Sequence, residues 1–154
     1  MSLPSNTSAP NTGDPVRQFT IYIENKCGAL HDLLALLAGQ AVHVLALSVT
    51  DITESAIVRL VVDDPDKACD HLRRLGYYAN EGEVLGVELN SEADLGGLLT
   101  ALLEAEINID YLFPFLVRPQ GKYGLILHVE DRELATQALS IRGHRVLSQR
   151  DLSR

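Results

Sequence analysis

The sequence predicts an α+β chain of two tandem βαββαβ units lying side by side, each an antiparallel sheet with its helices on one face. Three observations carry that expectation. The chain repeats itself, with Asn25, Leu30, Leu33, Leu34, Leu37 and Val44 aligning on Asn90, Leu95, Leu98, Leu99, Leu102 and Ile109 at one spacing (90 − 25 = 65). After a short insertion, Val62, Ala68, Leu72 and Gly76 align on Val129, Ala135, Leu139 and Gly143 (143 − 76 = 67). Self-similarity at a fixed period marks a repeated supersecondary unit. Within each copy the apolar spacing also switches between two, the strand period, and 3.6, the helix period.

Phe19, Ile21 and Ile23 recur every second residue and predict the first strand. Leu30, Leu33, Leu34 and Leu37 follow at i, i+3, i+4 and i+7, which makes one apolar stripe of a helix. Residues 42–50 and 55–64 read as strands joined by the polar turn 51–54. Asp64-Pro65 opens a second helix, because proline at an early helical position loses no intrahelical bond. Ala68, Leu72 and Leu75 line that helix, Gly76 ends it, and residues 77–84 close the unit as a strand. Copy two repeats the order as strand 85–90, helix 94–106, strands 107–117 and 122–130, helix 132–142 and strand 144–150. The two extra residues fall in the hairpin 118–122. This is the split-βαβ, ferredoxin-like layout. The expected organisation is a disordered tail over residues 1–16, a first unit over 17–83 and a second over 84–151.

Composition narrows the function. Of 154 residues 46% are hydrophobic and 22% charged, a globular profile. No apolar run approaches the ~20 residues of a membrane span. Residues 1–16 lack the basic start and apolar core of a signal peptide, so a cytoplasmic chain with no membrane partner is expected. A net charge of −8 argues against nucleic acid. RNA-recognition modules of this layout stack bases on strand aromatics, and strands 55–63 and 122–130 contain a single one, Tyr123. Cys27 and Cys69 form no CxxC, and the histidines never fall at i,i+3 or i,i+4, so neither a metal nor a cofactor is expected. No GxSxG, HExxH or phosphate-loop pattern occurs, and no catalytic residue is assigned. The alternative from the enzyme class is thiol chemistry at Cys27, with His31 one helical turn on as its base.

The first strand-to-helix turn is more informative. Glu24-Asn25-Lys26-Cys27-Gly28-Ala29-Leu30 resembles the ACT-domain signature, an Asn or Asp followed by x-Pro-Gly-x-Leu at such a turn. Glu106-Ile107-Asn108-Ile109 resembles the Gly-Ile-Asn-Ile that opens the second ACT strand. The resemblance covers residues 18–150. It implies a stand-alone two-ACT protein, more distantly similar to small regulatory subunits of acetolactate synthase. Such a protein is non-catalytic, binds a small-molecule amino acid between its repeats, forms a homodimer and acts on a metabolic enzyme. The alternative it implies is a dedicated regulatory subunit of an amino-acid biosynthetic enzyme such as acetolactate synthase.

In ACT pairs the second strands often join edge to edge and hold ligand between a first loop and the partner's second strand. Carried over, the resemblance sets Asn25, Lys26, Cys27, Gly28, Ala29 and Leu30 against Asn108, Ile109 and Asp110. A pseudo-symmetric site would set Asn90 and Leu95 against His43, Val44 and Leu45. That second loop has Ala93 in place of Gly28 and carries Glu92 and Asp94, which repel a carboxylate, so one competent site per chain is expected. Copy one departs as well: Cys27 replaces the usual proline, and Ile23 stands where serine-binding relatives have histidine.

Physical chemistry agrees with a ligand at the first loop. A helix start presents unpaired N–H groups and the positive end of the dipole, where a carboxylate docks. Gly28 permits close backbone approach, and Asn25 offers both a donor and an acceptor, which suits a zwitterion. The plainer reading of Asn25 is a helix cap. Tyr111-Leu112-Phe113-Pro114-Phe115 is the most aromatic stretch. Pro114 places it at an edge or bulge, and its rings are expected to pack between the repeats.

Overall fold

The computed structural model describes residues 13–117 and 119–153. Its first repeat runs β1 (Val16–Glu24), α1 (Ala29–Gly39), β2 (Val44–Ile52), β3 (Ser55–Val62), α2 (Pro65–Arg74) and β4 (Tyr78–Leu89). The second continues through α3 (Asp94–Glu104), β5 (Ile109–Pro114), β6 (Tyr123–Val129), α4 (Arg132–Ile141), β7 (Val146–Leu147) and α5 (Gln149–Leu152).

One strand belongs to both repeats. The first half of β4 pairs with β1, from Tyr78 opposite Tyr22 to Val84 opposite Val16. Its second half pairs with β6 and, at Gly86 and Val87, with β7. The expected boundary between residues 83 and 84 therefore falls inside a continuous strand. The sheet order is β2-β3-β1-β4-β6-β5, with β7 beside β4, and every pairing is antiparallel.

The two ends of this path meet again. Ala46 bridges Phe115, and the Leu116 N–H donates to the Leu45 carbonyl at 2.7 Å. Expected edge pairing of β2 with β5 is thus reduced to one bridge, and the sequence explains why. Pro114 has no N–H to extend the ladder, and both strands are bulged, at Val44/Ala46 and at Ile109/Tyr111. As expected from Pro114, β5 is an edge strand.

The sheet consequently rolls up with the helices outside. Alternation along β1 sends Phe19 and Ile21 to the helix face, where they pack with Leu33, Leu37 and Leu72. A matching cluster in the second repeat contains Leu98, Leu102, Leu127 and Leu139. A third cluster fills the inside of the roll, joining Val16, Ala46, Val61 and Val84 of the first repeat to Phe113, Ile126 and Leu147 of the second. Phe115 packs against it over Gly124, where an added Cβ would lie 2.8 Å from the ring. The aromatic stretch packs between the repeats, as its composition suggests.

The repeat extends to the backbone. Left-handed residues recur in pairs: Ala41 and Glu106 (φ 60° and 57°), Thr53 and Gln120 (72° and 56°), Gly76 and Gly143 (81° and 86°). Asp64 and Asp131 cap α2 and α4 alike, accepting from the Lys67 and Leu134 N–H groups at 3.1 and 3.0 Å. The pairing fails at the strand-to-helix turn, where Gly28 is left-handed (φ 87°) and Ala93 is right-handed (φ −64°).

Two expectations are corrected at the chain ends. Order begins before residue 17, because Val16 is an inward-facing position with 0% exposure and the Asp14 carbonyl accepts from the Gln149 N–H. Residues 1–12 of the expected tail, and Arg118 of the expected hairpin, lie outside the described residues. The strand expected over 144–150 is only Val146–Leu147. Ser148 ends it by opening α5 with a capping box, in which the Ser148 hydroxyl accepts from the Asp151 N–H and the Asp151 carboxylate from the Ser148 N–H.

Candidate functional site

The turn between β1 and α1 is held from below by Asn25. Its Nδ2 donates to Asp51 Oδ1 at 2.7 Å and to the Thr53 carbonyl at 3.0 Å, while its backbone N–H donates to the Glu54 carbonyl. Asn25 therefore fastens the β2–β3 hairpin and does not cap the helix. The position before α1 is Gly28, and no side chain caps that helix. Both amide hydrogens of Asn25 are taken, which leaves Oδ1 for a ligand. Asn25, Lys26, Cys27 and Gly28 are exposed, and Ala29 and Leu30 half-buried. Space around Gly28 is open, with no heavy atom within 4 Å of an added Cβ.

The equivalent Asn90 performs the same task with a different partner: its Oδ1 accepts from Lys122 Nζ at 3.0 Å, on the β5–β6 hairpin. The loop above it is filled. Asp94 Oδ2 accepts from the Asn90 N–H at 2.8 Å, and Ser91 Oγ from the Ala93 N–H at 3.2 Å. Copy two thus carries a carboxylate at the first position of α3, tied to the strand end and not to the helix N–H groups, whereas the matching residue in copy one is Ala29.

Of the second half of the expected site, Asn108 and Asp110 are exposed and Ile109 is half-buried. The Asn108 carbonyl accepts from the Glu130 N–H, and Asp110 Oδ2 lies 2.8 Å from His128 Nδ1. Among the described residues no hydrogen bond joins residues 25–30 to residues 108–110. Each half is tied within its own repeat. His43, Val44 and Leu45 are not brought against Asn90 and Leu95. They line a groove of about 660 Å³ between the repeats, facing Leu116, Val117 and Leu152. His43 is anchored there by Asp63, whose carboxylate takes the His43 backbone N–H and lies 2.8 Å from Nδ1.

Cys27 has no hydrogen-bond partner among the described residues, and the His31 ring approaches Asp32 at 3.4 Å. No group of three His, Cys, Asp or Glu residues among those described is placed to hold a metal ion. No helix among them is long and apolar enough to cross a membrane. The sequence reading missed Asp51, Thr53 and Lys122. The signal available was the Asn25/Asn90 recurrence itself, since a polar residue repeated at a turn beside a hairpin needs a local partner in both copies.

Removing that partner gives a direct test of Asn25. Asn25→Ala is expected to lower stability by about 1 kcal/mol through the two lost hydrogen bonds. Hydrogen exchange should rise in the 51–54 hairpin and leave the first turn of α1 unchanged. Fraying of α1 instead would restore the capping role.

Residues 15–154 match the family model for an ACT domain pair. The chain belongs to the ACT domain family. Its fold is similar to that of protein BT0572 from Bacteroides thetaiotaomicron, with TM-score 0.82, 23% identity, and coverage of 91% of this chain and 96% of that one. The ligand-free regulatory subunit of aspartate kinase from Thermus thermophilus aligns with TM-score 0.60 and 16% identity over 84% of this chain and 93% of its own. The corresponding subunit from Thermus flavus aligns with TM-score 0.53 and 16% identity over 84% and 94%. No curated protein sequence matches the chain. Within the ACT pair, the turn at residues 25–30 of the first domain corresponds to the turn at residues 90–95 of the second.

Proposed function

We propose that the chain is a non-catalytic regulatory protein that binds an amino acid at the start of α1, held between ACT repeats, and acts as a homodimer on a metabolic enzyme. The contrast between the two pseudo-equivalent loops carries this reading. Neither α1 nor α3 has a side-chain cap, but copy two holds a carboxylate of its own, Asp94, at the first position of α3 and bonds it back to the Asn90 N–H, whereas the matching residue of copy one is Ala29. A ligand carboxylate at α1 takes the favourable end of the helix dipole. Its ammonium group meets Asn25 Oδ1, the acceptor that the hairpin leaves over. Asn108, Ile109 and Asp110 supply the opposing wall.

A thermal-shift screen against the twenty amino acids tests the proposal, since a ligand at 100 times its Kd stabilises the native state by about 2.7 kcal/mol. A flat screen would overturn it. Once a ligand is found, Asn108→Ala is expected to weaken binding about ten- to a hundredfold through one lost bond to a charged group. Unfolding should stay near normal, because the bond recorded for Asn108 uses its backbone carbonyl. Unchanged affinity would remove β5 from the site.

A second reading makes the chain a separate regulatory subunit of an amino-acid biosynthetic enzyme, such as acetolactate synthase. The naming of both Thermus neighbours as regulatory subunits of aspartate kinase supports an amino-acid biosynthetic partner. Recovery of a catalytic chain with the tagged protein distinguishes this from a free-standing sensor.

A further inference from the structure

The inside of the rolled sheet changes character along its length. On β1 the inward residues pass from Val16 (0% exposed) and Gln18 (3%) through half-buried Thr20 to Tyr22 (36%). β2 passes from buried Ala46 through half-buried Ser48 to exposed Thr50, and β5 from buried Phe113 to half-buried Tyr111. One end is therefore a closed apolar core, and the other opens to solvent beyond the Ala46–Phe115 bridge.

Cross-strand register places Ser48, Arg59, Thr20 and Asn80 in one row at the neck of that opening. All four lie on the inward face, at even spacing from Ala46, Val61, Val16 and Val84. The next row outward is Thr50, Ile57, Tyr22 and Tyr78, with the two tyrosine rings 5.4 Å apart. From the second repeat, Tyr111 lies under the Arg59 guanidinium at 4.1 Å and stacks on His128 at 4.9 Å.

Two groups in this neck are unsatisfied. Arg59 is half-buried, yet its five N–H donors meet no acceptor among the described residues, in a chain carrying 21 acidic side chains. Gln18 donates from Nε2 to the Tyr111 hydroxyl at 2.6 Å and approaches Thr20 Oγ1 at 3.4 Å, while its buried Oε1 has no partner. Buried polar atoms are rarely left unpaired without a reason. Asp110 of the second repeat, near this region, is engaged by His128.

We infer that this neck is a binding site for a small carboxylate with a flat or apolar body. The carboxylate is received by Arg59 with the hydroxyls of Ser48 and Thr20, and the body lies against Tyr22, Tyr78 and Ile57. A planar guanidinium held over an aromatic ring is preorganised for two-point carboxylate recognition. Because successive strand residues face opposite sides of the sheet, this site is separated from the loop at residues 25–30, which lies with α1 on the helix face. Asp110 borders both this neck and the wall proposed for the loop site, so the two sites are told apart at Arg59 and Gly28, which belong to one each.

Benzoate and its neutral isostere benzamide provide the test on the unaltered chain. Benzoate is expected to shift the Arg59 side-chain Nε–H resonance to saturation, and benzamide to leave it in place. Arg59→Gln should weaken benzoate binding by about tenfold or more, the usual loss for a charge-assisted pair. Gly28→Asp should leave it unchanged. An Arg59 resonance that does not move, or that moves equally with benzamide, overturns the inference without reference to any variant. Benzoate binding abolished by Gly28→Asp and insensitive to Arg59→Gln would overturn this site while leaving the proposed loop site intact.

Discussion

Phe113→Ala is expected to destabilise the whole chain by about 3–5 kcal/mol, the usual range for truncating a buried aromatic ring. Phe113 is 5% exposed and belongs to the cluster inside the rolled sheet, whose other members come from β1, β2, β3, β4, β6, β7 and α5. The cavity cannot close by adjusting one repeat alone, because its walls belong to both. The loss should therefore appear as a single cooperative transition at lower denaturant, not as early melting of the second repeat. Hydrogen exchange at core amides of β3 and β6 separates the outcomes: both should lose protection together. If β3 stayed protected while β6 opened, the repeats would be independent folding units and the shared β4 a passive linker. Each repeat alone is close to the size at which a single core is marginal, which is why the coupling is expected to be strong.

Local structure was legible where local chemistry decides it. The leucine stripes marked α1 and α3, Asp64-Pro65 opened α2 where proline is tolerated, and the 65- and 67-residue offsets carried through to paired left-handed residues such as Ala41 and Glu106. Gly28 against Ala93, a mismatch visible in the sequence, is where the backbone symmetry breaks. Rolling of the sheet was not legible. It depends on inward residues such as Val16, Val84 and Ile126 finding partners far along the chain, and an alternating pattern says which residues share a face but not what covers that face. Arg59 was overlooked for the same reason. On the sequence it is one charged residue in a strand, and only the register with Ser48, Thr20 and Tyr111 gives it surroundings. Ser148-x-x-Asp151 has capping-box spacing, yet the repeat pattern predicts a strand there, because the first repeat ends in one.

Gly28→Asp is expected to cut ligand-dependent stabilisation sharply while costing the free protein little stability. Valine at this position would confuse the outcome, since a β-branched residue at φ 87° is strained whatever the space around it. Aspartate tolerates the left-handed region better, and its carboxylate beside the uncapped start of α1 gains about 0.3–1 kcal/mol from the helix dipole. The left-handed backbone costs about 1–2 kcal/mol for a non-glycine residue, so the dipole offsets part of that cost. Toward the ligand both effects are unfavourable. The new carboxylate takes the position proposed for the ligand's own, and affinity should fall by about ten- to a hundredfold. Gly28→Ala carries the same backbone strain without the charge and should retain most of the binding, which isolates the electrostatic part. Ala93→Asp, in the second loop, which already carries Glu92 and Asp94, should not change affinity. Calorimetry on the three variants with the ligand found by screening reads these differences directly. Equal losses in Gly28→Ala and Gly28→Asp would mean that the left-handed turn, and not the open helix start, is what the ligand recognises. A matching loss in Ala93→Asp would mean that the second loop also binds.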